Sequence, residues 1–153
     1  MELTTKGRYA VMALADLARH GGTGRPVTLA DIAARQDISQ SYLEQLFARL
    51  RRAGLVRAMR GPGGGYSLTR DASLISVSAV IRAVDEPIKV TACQMHETVG
   101  CRGRSTRCIT HDLWAELTRH IEDFLGAVTL ADVIEDRVRG RTLASSPIAV
   151  AAE

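Results

Sequence analysis

A glycine-rich turn between two strand-like segments is the feature that most restricts how this chain can fold. Residues 55–60 and 66–69 have the composition of short strands, and the sequence Gly-Pro-Gly-Gly-Gly lies between them at 61–65. Two such segments around a turn of glycine and proline predict a β-hairpin. A phosphate-binding loop would need a Lys-Ser/Thr pair and then a helix, whereas a strand-like segment follows these glycines. The hairpin is therefore the favoured structure.

Three helices are predicted between the N-terminus and this hairpin, and the first two lie before residue 35. Apolar residues recur at helical spacing from Thr5 to His20, and a Gly-Gly pair ends the pattern. The sequence TLAD at 28–31 resembles a capping box, with Asp in place of the usual Glu, and it begins a short helix that extends through Ala34.

A third helix is predicted over about residues 40–53, because Ser39 is a suitable N-cap and Gly54 suits a left-handed C-cap. Two short helices joined by a tight turn are typical of a helix-turn-helix, whose second helix fits the roughly 12 Å wide major groove of DNA. An amphipathic helix with a solvated polar side is the alternative, but the following hairpin favours a winged helix-turn-helix. The apolar face of this helix carries Leu43, Leu46, Phe47 and Leu50, and its polar face carries Ser41, Gln45, Arg49 and Arg52.

Positive charge is concentrated in the first half of the chain. Residues 1–70 contain 11 Lys or Arg and 5 Asp or Glu, whereas residues 71–153 contain 9 and 12. A basic half suggests a nucleic-acid partner, and a solvated basic surface is the alternative. Arg57, Arg60 and Arg70 place cations along the predicted hairpin, where they could meet DNA phosphates or enter a minor groove.

All three cysteines lie in one short stretch that ends at a histidine, with the spacing CX7CX6CX2H from Cys93 to His111. The N-terminus lacks the pattern of a cleavable signal, and no apolar run approaches the length of about 18 residues that spans a bilayer. We therefore expect a cytoplasmic protein without a membrane partner. Because a reducing cytoplasm disfavours disulfides, the cysteines are expected to bind a metal or to be redox-active.

The types of donor in this stretch fit two kinds of metal centre. Three thiolates and an imidazole suit an iron–sulfur cluster, and they also suit a tetrahedral zinc site. Cys108 and His111 are three residues apart beside a predicted helix start, so they are expected to share one helical face. His96 and His120 are alternative nitrogen donors.

Three helices are predicted after the hairpin. A linking helix extends from about Val77 to Asp85, a longer helix covers residues 112–127, and a capped short helix lies within 129–136. The longer helix has a wide apolar stripe, which favours burial against a second copy of the chain. The stripe consists of Leu113, Trp114, Leu117, Ile121, Phe124, Leu125 and Val128.

The segments LTTKGRYAVMALADLA, ISQSYLEQLFARLRRAGLV and RGPGGGYSLTRDAS resemble the IscR-type iron–sulfur-cluster regulators, which belong to a winged helix-turn-helix family. The similarity covers about residues 1–136. It implies a homodimeric bacterial transcription factor that binds a near-palindromic operator in double-stranded DNA. It also implies a [2Fe-2S] cluster with Cys93, Cys101, Cys108 and His111 as ligands.

The resemblance further implies that Ser41 and Gln45 of the third helix and Arg60 of the hairpin contact DNA. Glu44 occupies the position at which an acidic residue selects the class of operator. The full expected set is Ser39, Gln40, Ser41, Glu44, Gln45, Arg49, Arg52, Arg57, Arg60, Gly63 and Gly64.

The overall prediction is a mainly α-helical regulator that is not an enzyme and that represses iron–sulfur assembly genes, including its own. Related alternatives are a regulator that senses nitric oxide or iron through a [4Fe-4S] cluster, and a thiol-redox or electron-transfer protein. The predicted parts are a DNA-binding domain (1–72), a linking helix and connection (73–92), a cluster-binding loop (93–111), the dimerisation and packing helices (112–139) and a flexible tail (140–153).

Overall fold

The chain is mainly helical over residues 5–86, 88 and 107–139, which are the residues that the computed structural model describes. A helix-turn-helix is followed by a two-stranded hairpin, as expected of a winged helix. The elements are α1 (Thr5–His20), α2 (Leu29–Gln36), α3 (Gln40–Arg52), β1 (Val56–Met59), β2 (Gly65–Leu68), a 3-10 turn (Ala72–Leu74), α4 (Val77–Ala83), α5 (His111–Ala127) and α6 (Leu130–Ile134).

The predicted helix ends agree with the structure to within about two residues. The bounds of α1 are those predicted, and α5 begins one residue earlier than expected. The second helix continues past Ala34 because Asp37 ends it instead, in the left-handed conformation with φ 53°. The linking helix α4 stops at Ala83, before the predicted end at Asp85.

The hairpin is joined to the N-terminal helices by one additional extended residue. β1 and β2 are antiparallel, with Val56 opposite Leu68 and Met59 opposite Gly65. Val27, just before α2, exchanges two backbone hydrogen bonds of 2.8 Å with Tyr66. A Cβ on Gly65 would lie 2.4 Å from the Val27 carbonyl oxygen, so only glycine permits this close approach.

One hydrophobic core contains residues from both halves of the described chain. Leu14 of α1 and Phe47 of α3 are fully buried in it, together with Val80 of α4 and Leu130 of α6. Helices α4 and α6 therefore share one core with the N-terminal helices. The domain boundary near residue 72 stays a prediction.

The longest described helix, α5, covers a second apolar cluster. Its buried members are Val77 and Ile81 of α4, together with Ile88 and Val128. Ile121, Phe124 and Leu125 pack there against Val77 and Ile81. No helix among the described residues has both the length and the apolar composition needed to cross a membrane.

Candidate nucleic-acid interface

Helix α3 is anchored by its apolar face and capped by Ser39. Leu43, Leu46, Phe47 and Leu50 are buried, as predicted from their spacing. The Ser39 hydroxyl accepts a hydrogen bond from the Tyr42 N–H at 3.3 Å, which satisfies one of the donors left open at a helix start. The anchored face leaves Ser41, Glu44 and Gln45 exposed to solvent.

The predicted operator-selecting residue, Glu44, has a partner on the preceding turn of α3. The Gln40 side-chain amide donates to the Glu44 carboxylate at 3.3 Å, and both side chains are exposed. This contact holds a negative charge beside Gln45 on the solvent side of the helix. Such a charge opposes the approach of DNA phosphates and restricts which bases can be accepted there.

Two predicted DNA-contacting arginines near the end of α3 have internal partners. The Arg49 guanidinium is hydrogen-bonded and ion-paired with Asp85, which lies just after α4. Arg52 is exposed and donates through Nε to the Ala48 carbonyl at 3.4 Å. Both arginines therefore lie at the protein surface, and the guanidinium of Arg49 is paired with Asp85.

Arg57 makes side-chain hydrogen bonds that stabilise the wing. Its Nε donates to the Ser67 hydroxyl across the strand pair at 3.0 Å, and its Nη2 donates to the Thr23 carbonyl at 2.9 Å. One side chain thereby connects β1, β2 and the segment between α1 and α2. Arg60 follows β1 and is exposed at the wing tip. The two arginines therefore differ in their surroundings although both lie on the hairpin.

Gly63 and Gly64 shape the tip of the wing. Gly63 has φ +74°, a conformation that favours glycine, and the Gly64 N–H donates to the Gly61 carbonyl at 2.9 Å. A Cβ on Gly64 would lie 2.4 Å from the Met59 carbonyl oxygen. The tight turn holds Arg60 at the tip, and the predicted DNA contacts of these glycines stay a prediction.

A buried carboxylate, which the sequence patterns did not reveal, connects α1 to the end of α2. The side chain of Asp16 is fully buried. Arg35 donates to it at 2.6 and 3.0 Å, and the Gln36 amide donates at 2.8 Å. Burial alone raises the pKa of Asp16, but the hydrogen bonds from Arg35 and Gln36 and the positive charge of Arg35 outweigh it and lower that pKa overall. This network joins the end of α2 to α1.

Two of the four predicted metal ligands lie among the described residues. Cys108 is exposed and precedes α5, and its carbonyl accepts a 3.0 Å hydrogen bond from the His111 N–H. His111 is the first residue of α5 and is only 7% exposed. The two residues are joined by a turn, instead of sharing the face of a helix as expected. Cys93, Cys101 and the alternative donor His96 lie outside the described residues.

The surroundings of the two described donors differ from those of the alternative His120. The Cys108 sulfur lies 3.8 Å from the Thr110 hydroxyl. His120 lies along α5 with its Nε2 3.1 Å from Glu116, and its side chain is 49% exposed. His111 is therefore next to Cys108 and sheltered, whereas His120 is a surface residue beside a carboxylate.

The predicted dimerisation stripe on α5 is only partly covered within one chain. Ile121, Phe124 and Leu125 pack against the second apolar cluster. Leu113 and Leu117 are 60% and 37% exposed, and the preceding Ile109 is completely exposed. Apolar side chains grouped on one exposed helix face are typical of an interaction surface.

Comparison with known proteins identifies the family of the chain. Residues 3–136 match the Rrf2 family, described as iron-dependent transcriptional regulators. The HTH-type transcriptional regulator IscR of Yersinia pseudotuberculosis is 56% identical over 137 residues, which cover 90% of this chain and 81% of the relative. The regulator of the same name from Serratia proteamaculans matches with the same identity and coverage.

Solved structures show the same relationship. T. potens IscR superimposes with a TM-score of 0.69 at 35% identity, over 95% of this chain and 94% of that chain. CymR, the global cysteine regulator of B. subtilis, has a TM-score of 0.74 at 31% identity, over 89% of this chain and 98% of that chain. The chain therefore belongs to the Rrf2 family of transcriptional regulators and is of the IscR type.

Proposed function

We propose that the chain is a cytoplasmic, homodimeric DNA-binding regulator that senses iron–sulfur cluster status through a [2Fe-2S] cluster. It controls iron–sulfur assembly genes and represses its own. The observation that carries the DNA-binding part is the pairing of an anchored α3, with Gln45 exposed, and a wing that holds Arg60 at its tip. The regulator names of its relatives agree with this function.

DNA recognition is assigned to Gln45 and Arg60. A glutamine amide suits the edge of adenine, and arginine suits guanine or a phosphate. Gln45→Ala is expected to cost about 1–3 kcal/mol on the preferred duplex and to relax sequence preference at one position. Arg60→Ala is expected to weaken binding and to reduce the salt dependence, because a phosphate contact releases counterions.

The test uses a duplex selected by the full-length protein from a random-sequence library, and an unrelated duplex of the same length. Binding is measured by fluorescence anisotropy at several salt concentrations. Arg139→Ala is the matched control, because Arg139 is exposed and lies after α6, outside both α3 and the wing. If Gln45→Ala and Arg60→Ala bind as tightly as the control, these residues do not contact DNA.

The metal site is assigned to Cys93, Cys101, Cys108 and His111. The donor set fits a [2Fe-2S] cluster because three thiolates and one neutral imidazole match the ligands that such clusters use. The turn that joins Cys108 to His111 keeps two of the donors together. When bound, the cluster would provide a centre next to α5 that responds to redox state and to the availability of iron–sulfur clusters.

A pair of histidine variants tests this assignment sharply. Protein purified without oxygen is analysed for iron, sulfide and zinc and for visible absorption. His111→Ala is expected to lose or shift the cluster absorption, whereas His120→Ala is expected to leave it unchanged, and Cys101→Ala is expected to abolish it. If the analysis finds zinc and no iron, the site is a zinc site and the cluster assignment is wrong. Four irons per chain would favour the [4Fe-4S] alternative.

The dimer is assigned to α5. A two-fold dimer formed through this helix would present two copies of α3 to successive major-groove faces of a near-palindrome, about 34 Å apart. The state of the metal site is proposed to shift the geometry of this dimer or the setting of Glu44, and thereby to change affinity for some operators more than others. Operator affinities of the loaded and metal-free protein, compared with those of Glu44→Ala, test this link.

A further inference from the structure

The ion pair between Arg49 and Asp85 joins the polar face of α3 to the chain after α4. Arg49 is four residues after Gln45, so it lies about 40° around the helix from that residue, on the same side. Its guanidinium nevertheless bonds the Asp85 carboxylate. The two side chains are 36% and 76% exposed, so the pair lies at the protein surface.

The backbone around Asp85 is fixed on both sides. The Asp85 N–H donates to the Arg82 carbonyl at 3.0 Å, and the residue has φ +57°, which Asp adopts more readily than most residues. The next residue, Glu86, is buried, and its carboxylate accepts a 2.5 Å hydrogen bond from the Gly7 N–H. These contacts hold the Asp85 side chain within reach of Arg49.

We infer that Asp85 is a positioning residue that competes with DNA phosphate for Arg49. This inference rests on the proposed DNA binding through α3. Surface ion pairs contribute little to stability because water screens them, so a phosphate can replace the carboxylate at small cost. In the free protein the Asp85 carboxylate occupies Arg49, and on DNA the guanidinium exchanges it for a backbone phosphate. Asp85 thereby lowers the affinity for DNA of any sequence.

A double-mutant cycle tests the competition. Asp85→Asn is expected to bind the selected duplex and the unrelated duplex about three to ten times more tightly. Because Arg49 reaches a phosphate in both proteins, the slope of log affinity against log salt is expected to change by less than one, the change that an added phosphate contact would give. Arg49→Gln is expected to weaken binding several times more in the Asp85→Asn protein than in the wild-type protein.

The matched control is Asp136→Asn. Asp136 is also exposed and also has positive φ, at 55°, but it lies after α6. It therefore reports the effect of losing one negative charge from the same backbone conformation, and we expect less than about a twofold change in affinity. Asp85→Gly, which tolerates positive φ, serves as a second variant if Asp85→Asn does not fold.

The outcomes separate this inference from the proposed function. If the wild-type protein selects no duplex, the proposed function fails and the inference fails with it. If the wild-type protein binds, but Asp85→Asn binds equally or more weakly, the competition is wrong. Equal costs of Arg49→Gln in the two backgrounds would also overturn it, because independent residues give additive effects.

Discussion

The substitution Asp16→Asn tests whether the buried carboxylate holds α1 and α2 together. The change preserves the shape of the side chain and removes its charge. Arg35 and Gln36 together donate three hydrogen bonds of 3.0 Å or less to this carboxylate. Hydrogen bonds to charged groups are worth about 1.5–3 kcal/mol each, and breaking a buried ion pair costs about 3–5 kcal/mol.

Asp16→Asn is expected to cost less free energy of unfolding than the loss of three such hydrogen bonds, and less than the breaking of a fully buried ion pair. Arg35 is 34% exposed, so water solvates it when the charge of its partner is lost. The amide oxygen of Asn also retains one acceptor. We therefore expect a loss of about 2 kcal/mol in the free energy of unfolding, from the lower end of the range for charged hydrogen bonds. For a chain of this length the loss corresponds to a fall of about 4–8 °C in Tm.

The pH dependence of the difference identifies its source. Burial alone would raise the pKa of Asp16, but the hydrogen bonds from Arg35 and Gln36 and the positive charge of Arg35 outweigh this effect, so the pKa is lowered in the folded chain. A carboxylate with a lowered pKa stabilises the fold above its ordinary pKa of 3.8, and this contribution is lost as pH falls through the lower folded value. The stability gap between wild type and Asp16→Asn should therefore be full near neutral pH and should narrow below that ordinary value.

The assay is urea unfolding followed by circular dichroism, at one protein concentration and at a series of pH values. Asp123→Asn is the matched control, because Asp123 pairs with Arg119 at 3.0 Å with both side chains about half exposed. An exposed pair of this kind should contribute less than about 1 kcal/mol. Equal losses for Asp16→Asn and Asp123→Asn, or a gap that does not change in acid, would refute the reasoning.

Three further changes test the wing, the exposed face of α5 and the cap of α6. Gly65→Ala places a Cβ 2.4 Å from the Val27 carbonyl oxygen, so both Tm and DNA affinity should fall, and unchanged values would show that the junction can relax. Leu113→Glu charges a side chain that is 60% exposed, so sedimentation should show dissociation with little loss of monomer stability; an intact dimer would place the interface elsewhere. Thr129→Ala removes the capping box of α6 and should cost about 1 kcal/mol in urea unfolding, and no loss would show that the cap is dispensable.

Local signals predicted most of the secondary structure. Ser39 and Thr129 accept the expected hydrogen bonds at helix starts, and Gly54 has φ +72° just after α3. Thr28 is a partial exception. Its hydroxyl accepts from the Asp31 N–H at 3.1 Å, but the Asp31 carboxylate accepts from the Thr28 hydroxyl at 2.7 Å, instead of from the Thr28 backbone as a full capping box requires. These features involve residues close in sequence, so spacing alone reveals them.

Contacts between distant residues could not be predicted in the same way. Asp16 and Arg35 are 19 residues apart, Arg49 and Asp85 are 36 apart, and Gly7 and Glu86 are 79 apart. A single acidic residue on a helix or after a helix has the same sequence signal whether it is solvated or buried against a cation. The packing of α1 against α2, and of α3 against the end of α4, decides between these outcomes.

The arginines of the hairpin show how the same limit applies to the candidate site. Arg57 and Arg60 are three residues apart and were both predicted to contact DNA on the same grounds. In the fold, the Arg57 guanidinium donates to the Ser67 hydroxyl and to the Thr23 carbonyl, each within 3.0 Å. These acceptors are close to Arg57 in space but not in sequence, so the sequence pattern does not reveal them. Arg57 therefore sets the shape of the wing, whereas Arg60 extends beyond the strand at its tip. An arginine whose guanidinium is held by internal acceptors is less available to DNA. Arg60 is therefore the stronger candidate of the two for a DNA contact.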